Sequence, residues 1–321
     1  MDKKFRLFRI GISILAATFF ISGCMHYPVN KPLTTVDPNS GYRGKLMGQP
    51  ENSDEMMVFL TFSGGGTRAS AFSYGVLEEL RKTEVTINGQ KRMLRHEVDG
   101  ISGVSGGSFT AAYYGLFGDR IFEDFDQKFL KKNVQGGLTR RLLLRPDNWV
   151  RLSSPFFQRS DLAAEYYDKI LFEKKTFRDM EARKGQSPMV HINATDMVTG
   201  IRVAFHQDAF DIICSDLSSY PVARAVTASS AVPVVLTPIT LRNYSNDCGF
   251  ALPEEIERIR REHDISSRSF HQVSNVDVYQ DVAKHKYIHL VDGGVSDNLG
   301  LRAALDRILA LGSFWNTLKY L

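Results

Sequence analysis

Gly103-Val104-Ser105-Gly106-Gly107-Ser108 follows an apolar stretch that includes Val98 and Ile101, and it precedes a helix-like run from Phe109 to Phe117. This G-x-S-x-G pattern decides the fold, because a serine between glycines at a strand-to-helix turn can be forced into a bend that exposes its hydroxyl. Gly103 and Gly107 leave room for that bend, where a side chain would crowd the neighbouring backbone. The pattern occurs once: Ser102 has no glycine two residues on, and Ser108 is followed by Phe109 and Thr110. Taken alone, it fits a nucleophile elbow or a glycine-rich turn whose serine merely caps a helix.

The chain around this turn alternates strand and helix signals. Met56 to Phe62 is a continuous apolar run typical of a buried parallel strand, and a helix is predicted from about Thr67 to Arg81. Asn88-Gly89 marks a turn before the strand that leads to Ser105. Residues 119–185 read as a mostly helical, cap-like region, with Ser160-Asp161 as a helix cap. Strand-like runs follow at Met189 to Ala194 and Ile201 to His206, then a helix after Pro221 and an exposed helix within 253–263. Tyr287 to Val291 is a buried strand ending in Asp292-Gly293-Gly294, with a helix from about Leu299. Units in this order predict an α/β sheet with helices on both faces.

Three of the strands end in glycines, and the carboxyl ends of strands are where open α/β sheets bind ligands. SGGGTR (63–68) has two readings. Gly64, Gly66 and Ala69 fit a G-x-G-x-x-A dinucleotide loop with Glu84 as a ribose contact. Alternatively, consecutive glycines at a helix N-terminus offer free amides to the oxyanion of an attacked ester. Coexistence with the Ser105 motif favours the second. Asp292 is a candidate base, although an unperturbed carboxylate near pKa ~3.9 is a weak one. No histidine follows His289, so a conventional triad would need Asp196 or Asp208 with His271, His285 or His289.

With these motifs in hand, the chain resembles the patatin-like phospholipase family. SGGGTR matches that family's oxyanion segment, GVSGGS its nucleophile elbow and DGG its D-G-[AG] motif, in the same order. Ala228-Ser229-Ser230-Ala231-Val232-Pro233 resembles its A-S-x-A-x-P stretch, and the similarity spans about Met57 to Asn298. One departure is Ala69, where the family often has glycine. The resemblance implies a three-layer α/β/α fold with a mostly parallel central sheet. It also implies Ser105 as nucleophile and Asp292 as general base without a histidine. Amides of Gly64, Gly65 and Gly66 would hold the oxyanion, with Arg68, Gly103, Gly107, Gly293 and Gly294 in support. The implied substrate is a phospholipid or another acyl ester, and the implied reaction needs no metal or cofactor. A Ser-His-Asp esterase and a non-catalytic envelope lipoprotein are the alternative readings.

The N-terminus reads as a targeting signal. Lys3, Lys4, Arg6 and Arg9 precede an apolar run, Ile10 to Ile21, that is short for a bilayer span. It closes on Ile21-Ser22-Gly23-Cys24, which resembles a bacterial lipobox and implies diacylglycerol on Cys24 after removal of residues 1–23. By analogy, Met25 points to the outer membrane. Residues 24–55, with Pro28, Pro32, Pro38 and Pro50, are expected to form an extended tether to a catalytic domain at 56–321. Without residues 1–23 the net charge falls from +4 to +1, so the basic balance gives no reason to expect nucleic acid. Cys214 and Cys248 are either separate buried thiols or, in an oxidising compartment, a pair. The chain stops at Leu321, which is compatible with a missing C-terminal part of the sheet or an inhibitory segment.

Lys128, Lys131, Lys132, Arg140, Arg141, Arg145 and Arg151 face one acid, Asp147, over 128–151 and interleave with Leu142-Leu143-Leu144 and Trp149. That mixture fits an interfacial segment touching anionic lipid, or an ordinary amphipathic helix with a solvated basic face.

Overall fold

A computed structural model describes residues 28–310 apart from Pro253 and Ser267. The expected signal segment, Cys24 and the chain end at Leu321 lie outside the described residues. Among the described residues no helix is long and apolar enough to cross a membrane.

The central sheet is built from β2 (Val58–Phe62), β5 (Val98–Val104), β6 (Met189–Asp196), β10 (Tyr287–Asp292) and β9 (Ile239–Arg242), in that order, with β7 (Arg202–Ala204) also on β6. Helices flank it in the expected three-layer α/β/α arrangement. The sheet is mixed. β2, β5 and β6 are parallel, whereas β10 runs antiparallel to β6, and β9 antiparallel to β10. Val104 pairs with Asn193 and Asp292 with Ala194. The carboxyl ends of β5 and β10 therefore arrive at consecutive residues of β6 from opposite directions. Two short pairs lie outside this sheet: β1 (Lys31–Pro32) with β8 (Ser215–Asp216), and the hairpin β3 (Glu84–Ile87) with β4 (Gln90–Met93), whose turn is Asn88-Gly89.

Helix α1 (Gly66–Lys82) follows β2, and α2 (Gly106–Phe117) follows β5. Residues 106–116 of α2 are buried all round, as its near-continuous apolar sequence requires. One face meets the sheet. Another receives an aromatic cluster from the helical region, including Phe109 on Phe129 at 4.5 Å and Tyr113 on Phe125 at 5.0 Å between ring centroids. That region carries α3 (Val134–Leu143), α4 (Pro146–Leu152) and α5 (Arg159–Tyr167). Gln158 and Asp161 form the capping box of α5, so Ser160 is not its cap; the Ser160 hydroxyl bonds the Thr237 carbonyl. α6 (Val222–Ser229) packs against β6 and β10.

Residues 28–55 differ from an extended tether, because three polar side chains anchor them. Asn30 donates to Ser215 Oγ at 3.0 Å and accepts the Arg242 N–H. The Tyr42 ring is buried, its hydroxyl bonding both polar groups of the Val190 backbone. Arg43, buried, pairs with Asp208 and Asp211. A disulfide joins Cys214 to Cys248.

Candidate active site

Ser105 has φ 48° and ψ −118°, a left-handed conformation unusual for a residue with a side chain. Such a residue costs roughly 1–3 kcal/mol and persists only where its surroundings enforce it. They do so here through the two glycines. A Cβ on Gly107 would lie 2.3 Å from the Phe62 carbonyl oxygen, and one on Gly103 would lie 2.8 Å from Ser108 Cα. α2 can thus start flush against β2, which turns the chain sharply at Ser105.

The Ser105 hydroxyl donates to Asp292 Oδ2 at 2.8 Å, while Asp292 Oδ1 accepts the Gly294 N–H at 2.7 Å. Both side chains are nearly buried. Burial raises the Asp292 pKa above its ordinary value, and the Gly294 amide and Ser105 hydroxyl oppose that shift. Among the described residues neither Ser105 nor Asp292 bonds a histidine. The acids of the alternative triad are engaged elsewhere, Asp196 with Thr199 and Tyr279, and Asp208 with Arg43. His289 bonds Thr240, and the His271 side chain lies outside the described residues.

The glycine loop is only partly as expected. The Gly64 N–H is spent on the Asn298 carbonyl at 2.9 Å, so it is not a free oxyanion donor. Gly65 (φ 142°) and Gly66 (φ 65°) need glycine's conformational freedom, and they leave their amides at the N-terminus of α1. A Cβ on Gly106 would fall 2.0 Å from the Gly66 carbonyl oxygen. The N-termini of α1 and α2 therefore abut beside Ser105, and their partial positive charges converge where an oxyanion would form. Gly293 passes so close to β6 that its Cβ would meet the Asn193 carbonyl at 2.3 Å, and Gly294 supplies the amide on Asp292. Arg68 is exposed on the first turn of α1 and makes no hydrogen bond or ion pair among the described residues.

Three further residues hold the site, and their roles were not read from the sequence. Ser229 Oγ accepts the Ser105 N–H at 2.9 Å and donates to the Asn193 carbonyl at 2.6 Å. Asn193 Nδ2 donates to Ser102 Oγ and to the Gly103 carbonyl. The Thr195 hydroxyl donates to the Asp292 carbonyl at 2.9 Å. Ser229 lay within the ASSAVP stretch, which was the available signal; Asn193 and Thr195 carried none.

The family model for patatin-like phospholipases matches residues 60–305. No curated protein matches the chain by sequence. Among solved structures, human GIVD cytosolic phospholipase A2 is similar at a TM-score of 0.45 and 15% identity, over 78% of this chain and 44% of that one. The chain thus spans less than half the length of that protein.

Proposed function

This chain belongs to the patatin-like phospholipase family, and we propose that it is a serine-dependent carboxylic ester hydrolase cleaving acyl esters of phospholipids or lysophospholipids. The observation that carries this reading is the 2.8 Å bond from Ser105 Oγ to Asp292 Oδ2 at a left-handed elbow. Asp292 accepts the hydroxyl proton as Ser105 Oγ attacks the ester carbonyl carbon. The Gly65 and Gly66 amides then stabilise the oxyanion. Collapse of the tetrahedral intermediate breaks the ester C–O bond, and the departing alcohol takes the proton from Asp292. Water attacks the acyl-serine with Asp292 again as base, releasing the fatty acid and restoring Ser105.

Hydrolysis of a panel of phospholipids and soluble esters by wild type, Ser105→Ala and Asp292→Asn tests this. Both variants should lose turnover, and Ser105→Ala should also lose fluorophosphonate labelling. Retained turnover in either would overturn the dyad.

The same protein is proposed to be a lipoprotein of the bacterial cell envelope, anchored through Cys24. The basic segment, the apolar run and ISGC at 21–24 support this, and a Cys214–Cys248 disulfide suits an oxidising compartment. Metabolic labelling with palmitate should mark wild type and spare Cys24→Ser; equal labelling would remove the anchor.

A further inference from the structure

We infer that the face formed by α3, α4 and the residues just after α4 docks on an anionic bilayer surface and brings that surface to the mouth of the Ser105 site. This rests on the acyl-ester reading above, but it concerns a different part of the molecule from Cys24. Leu143, Leu144, Trp149, Val150 and Phe156 are each more than half exposed. They lie within fourteen residues of chain. α4 folds back on the end of α3, since Trp149 Nε1–H donates to the Leu142 carbonyl at 2.8 Å and the Asn148 side chain to the Arg141 carbonyl. The indole's one polar group is therefore satisfied inside the protein, and its exposed ring can leave water without stranding a donor.

The charge around these side chains selects the partner. Of the seven basic residues in this segment, four are used internally. Lys128 pairs with Asp124 and Glu173, Lys131 with Asp126, and Arg151 with Glu165, while Arg141 lies over the Tyr166 ring. Lys132, Arg140 and Arg145 are exposed and make no ion pair or side-chain hydrogen bond among the described residues. Protruding apolar side chains bordered by unpaired cations match an anionic lipid surface, which takes both at once.

A second apolar segment links this face to the catalytic pair. Val232, Val234 and Val235 are exposed, Val234 at 87% and in a left-handed conformation at φ 74°. Their loop starts at Ala231, whose carbonyl accepts the Asp292 N–H at 3.0 Å. It ends at Thr237, which bonds the backbone and hydroxyl of Ser160, four residues after Phe156. The Leu236 N–H on the Val232 carbonyl at 3.0 Å closes the turn that holds Val234 out, and so exposed an apolar side chain on a left-handed backbone gains a role if it enters lipid.

Trp149 reports on this face directly. The probe is the full chain with Ser105→Ala, so that no lipid is consumed, and with Trp315→Phe, which leaves Trp149 as its indole. Vesicles contain phosphatidylcholine brominated on its acyl chains, with or without phosphatidylglycerol. Trp149 emission should shift to the blue and be quenched when phosphatidylglycerol is present. Changing Lys132, Arg140 and Arg145 to Gln together should weaken this about a hundredfold, and Leu144→Ser with Val150→Ser should abolish the quenching. With Ser105 restored, the triple Gln variant should hydrolyse a soluble short-chain ester normally while losing turnover of anionic vesicles. A chain that co-sediments with vesicles while Trp149 stays unquenched would overturn the inference. So would a blue shift that follows protein concentration without lipid, since the face would then join copies of the chain.

Discussion

Ser229 holds Ser105 by its backbone: its hydroxyl accepts the Ser105 N–H at 2.9 Å and donates a hydrogen bond to the Asn193 carbonyl. Among the described residues the Ser105 hydroxyl is thereby left to Asp292 alone. Ser229→Ala would leave a buried amide and carbonyl unpartnered, costing about 1–3 kcal/mol of stability. Because the lost bond fixes the elbow, kcat should fall about ten- to a hundredfold with KM for a soluble ester little changed. Denaturant melts and steady-state kinetics check both. An unchanged kcat would mean that the two glycines alone set the serine.

Asp292 gives a pH dependence with a definite sign. In the proposed dyad its carboxyl must be ionised to accept the Ser105 proton, and burial raises its pKa above the ordinary 3.8. Turnover should therefore fall on the acid side, with a midpoint above that of an exposed aspartate. The folded state also binds this proton more tightly than the unfolded state. Its contribution to stability is thus largest below the unfolded pKa and is lost as pH rises through the folded one. Asp292→Asn should consequently raise the melting temperature at neutral pH while abolishing hydrolysis, and the gain should shrink in acid. Thermal melts across pH 3–8 check this trade of stability for function.

Two glycines in contact should respond differently to alanine. At Gly66 a Cβ has open space, so Gly66→Ala meets only the left-handed φ of 65°, costing about 1–2 kcal/mol. At Gly106 the new carbon would collide with the Gly66 carbonyl at 2.0 Å and push the two helix N-termini apart. Fluorophosphonate labelling should survive in Gly66→Ala and be lost in Gly106→Ala. Comparable labelling of both would show that the junction is soft.

The Cys214–Cys248 bond spans 34 residues of sequence and clamps the segment that contains Asp292's partner Ala231. Loop-closure entropy for that span predicts about 3–4 kcal/mol of stabilisation. The Cys214→Ser, Cys248→Ser double variant should therefore unfold at clearly lower urea. Reductant should lower the midpoint of wild type and leave the variant unaffected.

Much of the site was legible because its geometry is written in glycine. SGGG, GVSGGS and DGG mark places where a left-handed turn or close backbone approach admits little else, and all three meet at Ser105. The direction of β10 was not legible. An apolar run such as Tyr287 to Val291 looks the same whichever way it crosses a sheet, and only its pairing with β6 reveals that it runs back. β9 was missed because four residues after Pro238 carry too short a pattern to separate from a loop. Residues 28–55 looked like a tether by composition, yet Asn30, Tyr42 and Arg43 dock it one side chain at a time. The Gly64 amide shows the same limit, since its acceptor, Asn298, is remote in sequence.

Ser105 and Asp292 are 187 residues apart and reach β6 from opposite ends. During synthesis the elbow and both helix termini precede their base by more than half the chain. A polypeptide ending before Tyr287 lacks Asp292, so under the proposed dyad it should not hydrolyse esters. On that reading latency is built into chain order, because the proposed base arrives only with the strand that ends at Asp292.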